Sequence, residues 1–142
     1  PYYSAAPLIE LRYAEVLLSL AEAYVEKGTN LDEAAKLVNQ VRARAGMPSV
    51  ESVEGSGLSQ AAMRDIVRHE RRVETAFEGL RLYDIYRWHL LKDAVDRINN
   101  EASTYNFWYE YRNFRGEQEY VWPIPQEDID SNSQLEQNDL WK

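Results

Sequence analysis

Apolar residues recur at steps of three and four along the first part of the chain, which is the spacing of one face of an α-helix. The first run predicts a helix over residues 8–27 that stops at Gly28. The second run predicts a helix that begins at Asn30, where Glu33 completes the spacing of a capping box, and ends before Gly46 and Pro48. The two helices are expected to lie antiparallel, as a hairpin over residues 8–46. The predicted buried positions are Leu11, Ala14, Leu17, Leu18, Ala21, Tyr24, Val25, Leu31, Ala34, Ala35, Val38 and Val41.

A third helix is predicted over residues 60–78, after a polar linker at 48–58. Ser59 stands at its start as an N-cap residue. Its apolar stripe contains one carboxylate, and the stripe consists of Met63, Ile66, Glu70, Val73 and Phe77. Because an unpaired carboxylate is costly among packed side chains, we expect Glu70 to be paired with a guanidinium.

Four arginines near Glu70 in the sequence are the candidate partners, and Asp84 provides a second carboxylate. Gly79 separates the third helix from the next one, since a residue without a Cβ tolerates the left-handed conformation that ends many helices. The sequence therefore predicts an ion-pair staple that joins two helices across Gly79. The alternative is a solvated face with incidental charges. The predicted staple consists of Glu70, Arg71, Arg72, Arg81, Asp84 and Arg87.

The second half of the chain changes character after the helix pair predicted over residues 60–100. Helical spacing continues with an interruption and is expected to close at Asn99 and Asn100. Residues 101–142 form an aromatic and Pro-rich tail in which a short β-hairpin is expected, with Arg115 and Gly116 at its turn. Residues 122–125 are predicted to be extended and residues 126–130 to form one helical turn.

Composition excludes several classes of function. The chain has 142 residues, which suits one domain, and a formal net charge of −8, which argues against binding to nucleic acid or to an anionic membrane surface. It has no cysteine, so cysteine-ligated metals and disulfides are excluded. His69 and Glu70 are not followed by the second histidine that a zinc hydrolase needs, because that position holds Val73. We therefore expect no enzyme activity, no metal and no cofactor.

Four blocks of residues occur in a fixed order along the chain. They are Arg12–Leu18 with Ala21–Ala23; Val41–Pro48; Glu70–Glu74 with Phe77–Gly79, Arg81, Asp84 and Arg87–Trp88; and Trp122–Gln126 with Gln137–Asn138. Together they resemble the C-terminal portion of the SusD/RagB family, surface glycan-binding lipoproteins of Bacteroidetes. Family members are several times longer, so the chain is expected to be a fragment or a truncated form.

The resemblance implies a mainly α fold, a SusD-like α-α superhelix whose first hairpin is tetratricopeptide-like, in a single domain over residues 1–142. It also implies a non-catalytic protein on the extracellular face of the outer membrane. Such a protein captures an oligosaccharide, or a peptide, and delivers it to a SusC-like TonB-dependent transporter. The secretory signal and the lipid anchor would belong to an upstream part, and this portion would serve mainly as a scaffold. The competing interpretation is a stand-alone helical module that binds another protein.

An aromatic cluster in the tail contains the candidate ligand contacts. Trp108, Tyr109 and Tyr111 lie close together in a polar stretch. Trp and Tyr suit surfaces with one apolar and one wet side, as when the apolar face of a sugar ring stacks on an aromatic ring. The alternative is that these rings cover the edge of a core or meet a partner.

Overall fold

The computed structural model describes residues 11–105 and 111–142. The predicted mainly α class is confirmed, and no strand occurs within the described ranges. The predicted β-hairpin falls partly on residues 106–110, which lie outside the described residues. The chain divides between Arg81 and Leu82 into two compact units. The prediction of one domain over residues 1–142 stays a prediction.

Four helices form the described part of the first unit. They are α1 (Tyr13–Lys27), α2 (Leu31–Arg44), α3 (Val50–Glu54) and α4 (Gln60–Glu74). The helices α1 and α2 form the predicted hairpin, and α4 packs against both. Most of the predicted stripe is buried, whereas Leu11 is 65% exposed. The core of this unit consists of Leu17, Leu18, Ala21, Val25, Ala34, Ala35, Val38, Val41, Val50, Met63 and Val67.

The turn between α1 and α2 differs in chemistry from the prediction. Gly28 ends α1 with a φ of 71°, as expected for a helix that stops in the left-handed conformation. Asn30 is also left-handed, with a φ of 56°, and its side chain makes no cap hydrogen bond. A capping residue needs extended backbone so that its side chain can reach the first amides. The expected capping box between Asn30 and Glu33 is therefore absent, and the Glu33 carboxylate accepts from Lys36 at 2.6 Å.

The predicted linker contains the short helix α3, which the sequence pattern does not predict. Val50 is fully buried in the core of the first unit. The Asn39 side chain ties α2 to the start of α3, because its Oδ1 accepts from the Val50 amide at 2.8 Å and its Nδ2 donates to Glu51 at 2.8 Å. These contacts span 11 and 12 residues, so local spacing does not reveal them.

Helix α4 begins as predicted but ends earlier. The Ser59 hydroxyl accepts from the Ala62 amide at 3.2 Å, which confirms the predicted cap. Helix α4 ends at Glu74 rather than at residue 78, with Thr75 as the C-cap. The apolar stripe was predicted to continue past Glu70 to Val73 and Phe77, and this is wrong. Val73 is 59% exposed, and Phe77 is fully exposed with a φ of 66°.

The second unit contains shorter elements joined by irregular backbone. They are α5 (Arg81–Arg87, which begins at the unit boundary), α6 (Leu91–Tyr105), a 3-10 turn (Glu117–Tyr120), α7 (Gln126–Ser131) and a second 3-10 turn (Asp139–Trp141). His89, with a φ of 53°, separates α5 from α6 and accounts for the predicted interruption. Helix α6 does not close at Asn99. The Asn99 side chain instead donates to the Arg112 carbonyl at 2.8 Å and accepts from the Arg112 amide at 3.2 Å.

Among the helices within residues 11–105 and 111–142, none has both the length and the apolar character needed to span a bilayer.

Ser59→Ala is expected to lower the free energy of unfolding by about 1 kcal/mol, because α4 loses its cap. Asn30→Gly is expected to leave it unchanged or raise it slightly, since glycine adopts the left-handed conformation without steric cost. Urea denaturation followed by far-ultraviolet circular dichroism measures both. A loss at Asn30→Gly equal to that at Ser59→Ala would contradict this description of the turn.

Candidate functional site

One of the three predicted aromatic contact residues lies within the described residues. Trp108 and Tyr109 lie outside the described residues, whereas Tyr111 is described and is 70% exposed. A role for these three rings in ligand binding stays a prediction.

A different group of aromatic residues lines a cleft in the second unit, with a volume of ≈ 370 Å³. We call it the Trp122 cleft. Its walls combine aromatic and prolyl surface with one basic and one acidic side chain. The lining residues are Tyr86, Arg115, Glu119, Val121, Trp122, Pro123 and Trp141. Such a mixture of apolar surface and a few polar groups is typical of small-molecule sites.

Trp141 forms one wall of the Trp122 cleft, and hydrogen bonds from its indole N–H hold the ring in place. That N–H donates to the carbonyl of Val121 at 2.6 Å and to the carbonyl of Gln118 at 3.1 Å. The C-terminal 3-10 turn is thereby joined to the 3-10 turn at Glu117–Tyr120. Because an indole has one donor and no acceptor, this contact satisfies its hydrogen-bonding capacity.

The extended segment that carries Trp122 is held by side chains rather than by a neighbouring strand. The Gln137 side chain donates to the Ile124 carbonyl at 2.9 Å and accepts from the Ile124 amide at 2.9 Å. The Asn138 side chain donates to the Trp122 carbonyl at 2.7 Å. The backbone at residues 122–124 is therefore fixed, while the Trp122 side chain is 76% exposed.

Tyr120 packs against several residues next to the cleft but does not line it. Its hydroxyl accepts from the Leu91 amide at 2.9 Å. Its ring lies edge-on to Tyr86 at 5.7 Å and to Phe114 at 5.9 Å, and it packs at a tilt of 38° against His89, at 4.5 Å between ring centroids. Tyr120 and Phe114 are therefore packing residues of the second unit.

Charge in the Trp122 cleft is balanced. Nε of Arg115 donates to Oε1 of Glu119 at 2.7 Å. The Arg115 side chain is 64% exposed and that of Glu119 is 16% exposed. The pair therefore lies at the rim of the cleft, with the Arg115 guanidinium toward solvent. The rim can both donate to and accept from a polar ligand, and the lining residues have no net formal charge.

The predicted staple residue Glu70 is half-buried and paired, but with a partner on another helix. Its Oε2 accepts from Nε of Arg42 on α2 at 2.8 Å, and the two side chains are 13% and 12% exposed. The candidates predicted from sequence proximity were Arg71, Arg72, Arg81 and Arg87. The actual partner lies 28 residues away and becomes close only because α2 and α4 pack together.

The other staple residues make separate contacts. Arg71 is buried and joins α4 to α1, because it donates to the Ser19 hydroxyl at 3.2 Å and lies 3.6 Å from Glu15. Asp84 is 1% exposed and accepts from Arg87 within α5 at 2.9 Å. Arg72 is exposed. A staple between the helices on either side of Gly79 stays a prediction.

Glu74 has two guanidinium partners, which the sequence pattern does not predict. Its side chain is 9% exposed and accepts from Arg12 and, at 2.8 Å, from Arg44. Arg12 also donates to the Glu74 carbonyl and, at 2.8 Å, to Glu78. Burial alone would raise the pKa of Glu74, but the hydrogen bonds and charges of Arg12 and Arg44 together hold that pKa below its ordinary value.

Charges on α4 are sorted by the helix that they face. Arginines of α4 pair with acids of α1, whereas carboxylates of α4 pair with bases of α2, and Glu74 also pairs with Arg12 just before α1. The contacts are Arg64 and Arg68 with Glu26, Arg71 with Glu15, Glu70 with Arg42 and Glu74 with Arg44. We call this set the α4 charge frame.

Comparisons with known proteins agree on one family. The model of the SusD family matches residues 1–141. SusD-like protein P2 of Formosa agariphila is 37% identical over 138 residues, which are 95% of this chain and 26% of that protein. SusD-like protein P25 of the same organism is 34% identical over 92% of this chain and 23% of its own length. The chain thus spans about a quarter of the length of these curated relatives.

A solved structure has the same fold. The crystal structure of a SusD homolog from Bacteroides thetaiotaomicron superposes with a TM-score of 0.67 at 34% sequence identity. The match covers 91% of this chain and 26% of that one.

Glu74→Gln is expected to lower the free energy of unfolding at pH 7 by about 2 kcal/mol, because it removes the carboxylate from two guanidinium groups. The folded-state pKa of Glu74 is depressed below its ordinary value of 4.5. Its contribution is therefore complete above that value and is lost as the pH falls through the folded-state pKa. The difference between wild type and variant should shrink in acid, as measured by urea denaturation between pH 7 and pH 3.

The matched control is Glu33→Gln, which removes an exposed carboxylate paired with Lys36 in α2. Exposed pairs of this kind contribute about 0–1 kcal/mol, so little change is expected. Equal losses at Glu33→Gln and Glu74→Gln, or a loss at Glu74→Gln that does not depend on pH, would contradict the assignment.

Proposed function

The chain belongs to the SusD family, and from this premise we propose that the protein carrying it is a non-catalytic glycan-binding protein for nutrient uptake. The observation that supports the proposal most strongly is the family match over residues 1–141. The names of the curated relatives and of the solved structure agree with it.

The partner and the location follow from the same premise. The protein would lie on the extracellular face of the outer membrane, attached by a lipid, and would pass bound oligosaccharide to a SusC-like TonB-dependent transporter. A peptide is the alternative cargo. The mechanism is binding and transfer, and it requires no bond to be made or broken in the cargo.

This portion of the protein would serve mainly as a scaffold. The α4 charge frame holds three helices of the first unit together through pairs such as Glu70 with Arg42, at 2.8 Å. Half-buried ion pairs with defined partners favour one arrangement of helices over others, because a mismatched arrangement leaves a charge unpaired. A fixed arrangement of helices suits a part that positions binding loops elsewhere in the protein.

The second candidate function is a helical module that binds another protein. Tyr13, Val16 and Leu20 are 70%, 46% and 42% exposed, and their spacing places them on one face of α1. An exposed apolar face on a helix is typical of a surface that meets another helix. This observation favours the alternative, while the family match favours glycan capture.

The proposal predicts a stable complex with a transporter and a defect in uptake. The protein is tagged in the bacterium that encodes it and purified from detergent-solubilised outer membranes. A TonB-dependent β-barrel transporter is expected in stoichiometric amounts. Deletion of the gene is expected to slow growth on at least one oligosaccharide but not on its constituent monosaccharide, which serves as the control.

Recovery of the protein outside the envelope, together with normal growth of the deletion strain on every oligosaccharide tested, would contradict the proposal. Recovery with a helical protein partner in place of a transporter would favour the second candidate function.

A further inference from the structure

We infer that the Trp122 cleft is a subsite for a neutral pyranose ring of an oligosaccharide, an assignment that rests on the proposed glycan-binding function. The cleft lies in the second unit and is separate in sequence from the predicted contacts at residues 108–111. Three properties of the cleft support this assignment.

The first property is an aromatic face that is open to solvent. Trp122 is 76% exposed, although burying an aromatic ring of this size is strongly favourable. The neighbouring ring of Trp141 lies partly buried against its carbonyl partners, so it forms a wall of the cleft. An exposed indole beside a fixed wall can receive the apolar C–H face of a sugar ring.

The second property is rigidity before binding. Side chains from Gln137 and Asn138 hold the backbone at Trp122 and Ile124, with donor–acceptor distances between 2.7 and 2.9 Å. When a ligand stacks on Trp122, the protein backbone therefore loses little conformational entropy. Binding surfaces that are ordered in advance lose less of the interaction energy to entropy.

The third property is the polar pair at the rim. Arg115 uses Nε to bind Glu119, and its guanidinium carries further N–H donors, while the Glu119 carboxylate carries further acceptor positions. A sugar hydroxyl both donates and accepts, so adjacent hydroxyls complement such a pair. Because the two charges cancel, the cleft offers no excess positive charge to attract a uronate or a sulfate. The predicted ligand is therefore a neutral glycan.

Isothermal titration calorimetry on the 142-residue chain tests the assignment. The probes are maltoheptaose, laminarihexaose, cellohexaose and mannohexaose, with hexagalacturonate as the charged comparison. At least one neutral probe is expected to bind. Trp122→Ala is expected to weaken that binding about tenfold or more, because the central aromatic ring of a small site contributes much of the affinity. Trp122→Phe should retain part of the affinity.

Tyr83→Ala is the matched control, because Tyr83 is 70% exposed in the same unit but does not line the cleft. It should leave binding unchanged. Since both side chains are largely exposed, both variants should keep the wild-type circular dichroism spectrum.

Three results would overturn the assignment. If binding of a neutral probe persists in Trp122→Ala, the sugar binds elsewhere, and the proposed function stands while the subsite does not. If hexagalacturonate alone binds, the ligand class is wrong. If no probe binds the folded chain, the subsite is rejected, and purification with a transporter and the growth assay decide the proposed function separately.

Discussion

The arrangement of the first unit depends on how the charges of α4 are paired. This helix lies against the hairpin of α1 and α2, and its charged side chains are sorted between them. It presents arginines such as Arg71 to acids on α1 and carboxylates such as Glu70 and Glu74 to bases on α2. Rotating α4 about its axis would bring like charges together and leave half-buried groups unpaired. The apolar core supplies the driving force for packing, and the charges select one orientation.

The pairs differ in what they contribute. Lys36 and Glu33 are both exposed and contribute little. Glu74 is largely excluded from water and has two guanidinium partners, so the loss of its charge removes a buried carboxylate that both of them share. Such pairs add little net stability compared with apolar packing, but breaking one is costly. The α4 charge frame therefore selects the orientation of α4 against α1 and α2 more than it adds to stability.

Local chemistry could be predicted from the sequence, and contacts between distant residues could not. The helices α1 and α2 follow from periodic apolar positions, and the Ser59 cap follows from one residue type at one position. The half-buried state of Glu70 was predictable because it interrupts an apolar stripe, whereas its partner Arg42 depends on helix packing. The burial of Val50 and the Trp122 cleft likewise arise from contacts across many residues. The local signal for the cleft was Trp122 in a prolyl segment, together with the later Gln137 and Asn138, whose side-chain amides hold that segment in place of a neighbouring strand.

The central claim is that charges between α4 and the start of α1 are energetically coupled, and a double-mutant cycle tests it most directly. The cycle compares Arg12→Gln, Glu74→Gln and the double variant by urea denaturation at pH 7 and low ionic strength. Because Arg12 binds the Glu74 carboxylate directly, the predicted coupling free energy is at least about 1 kcal/mol. A coupling free energy of zero, with the two single losses simply adding, would contradict the account.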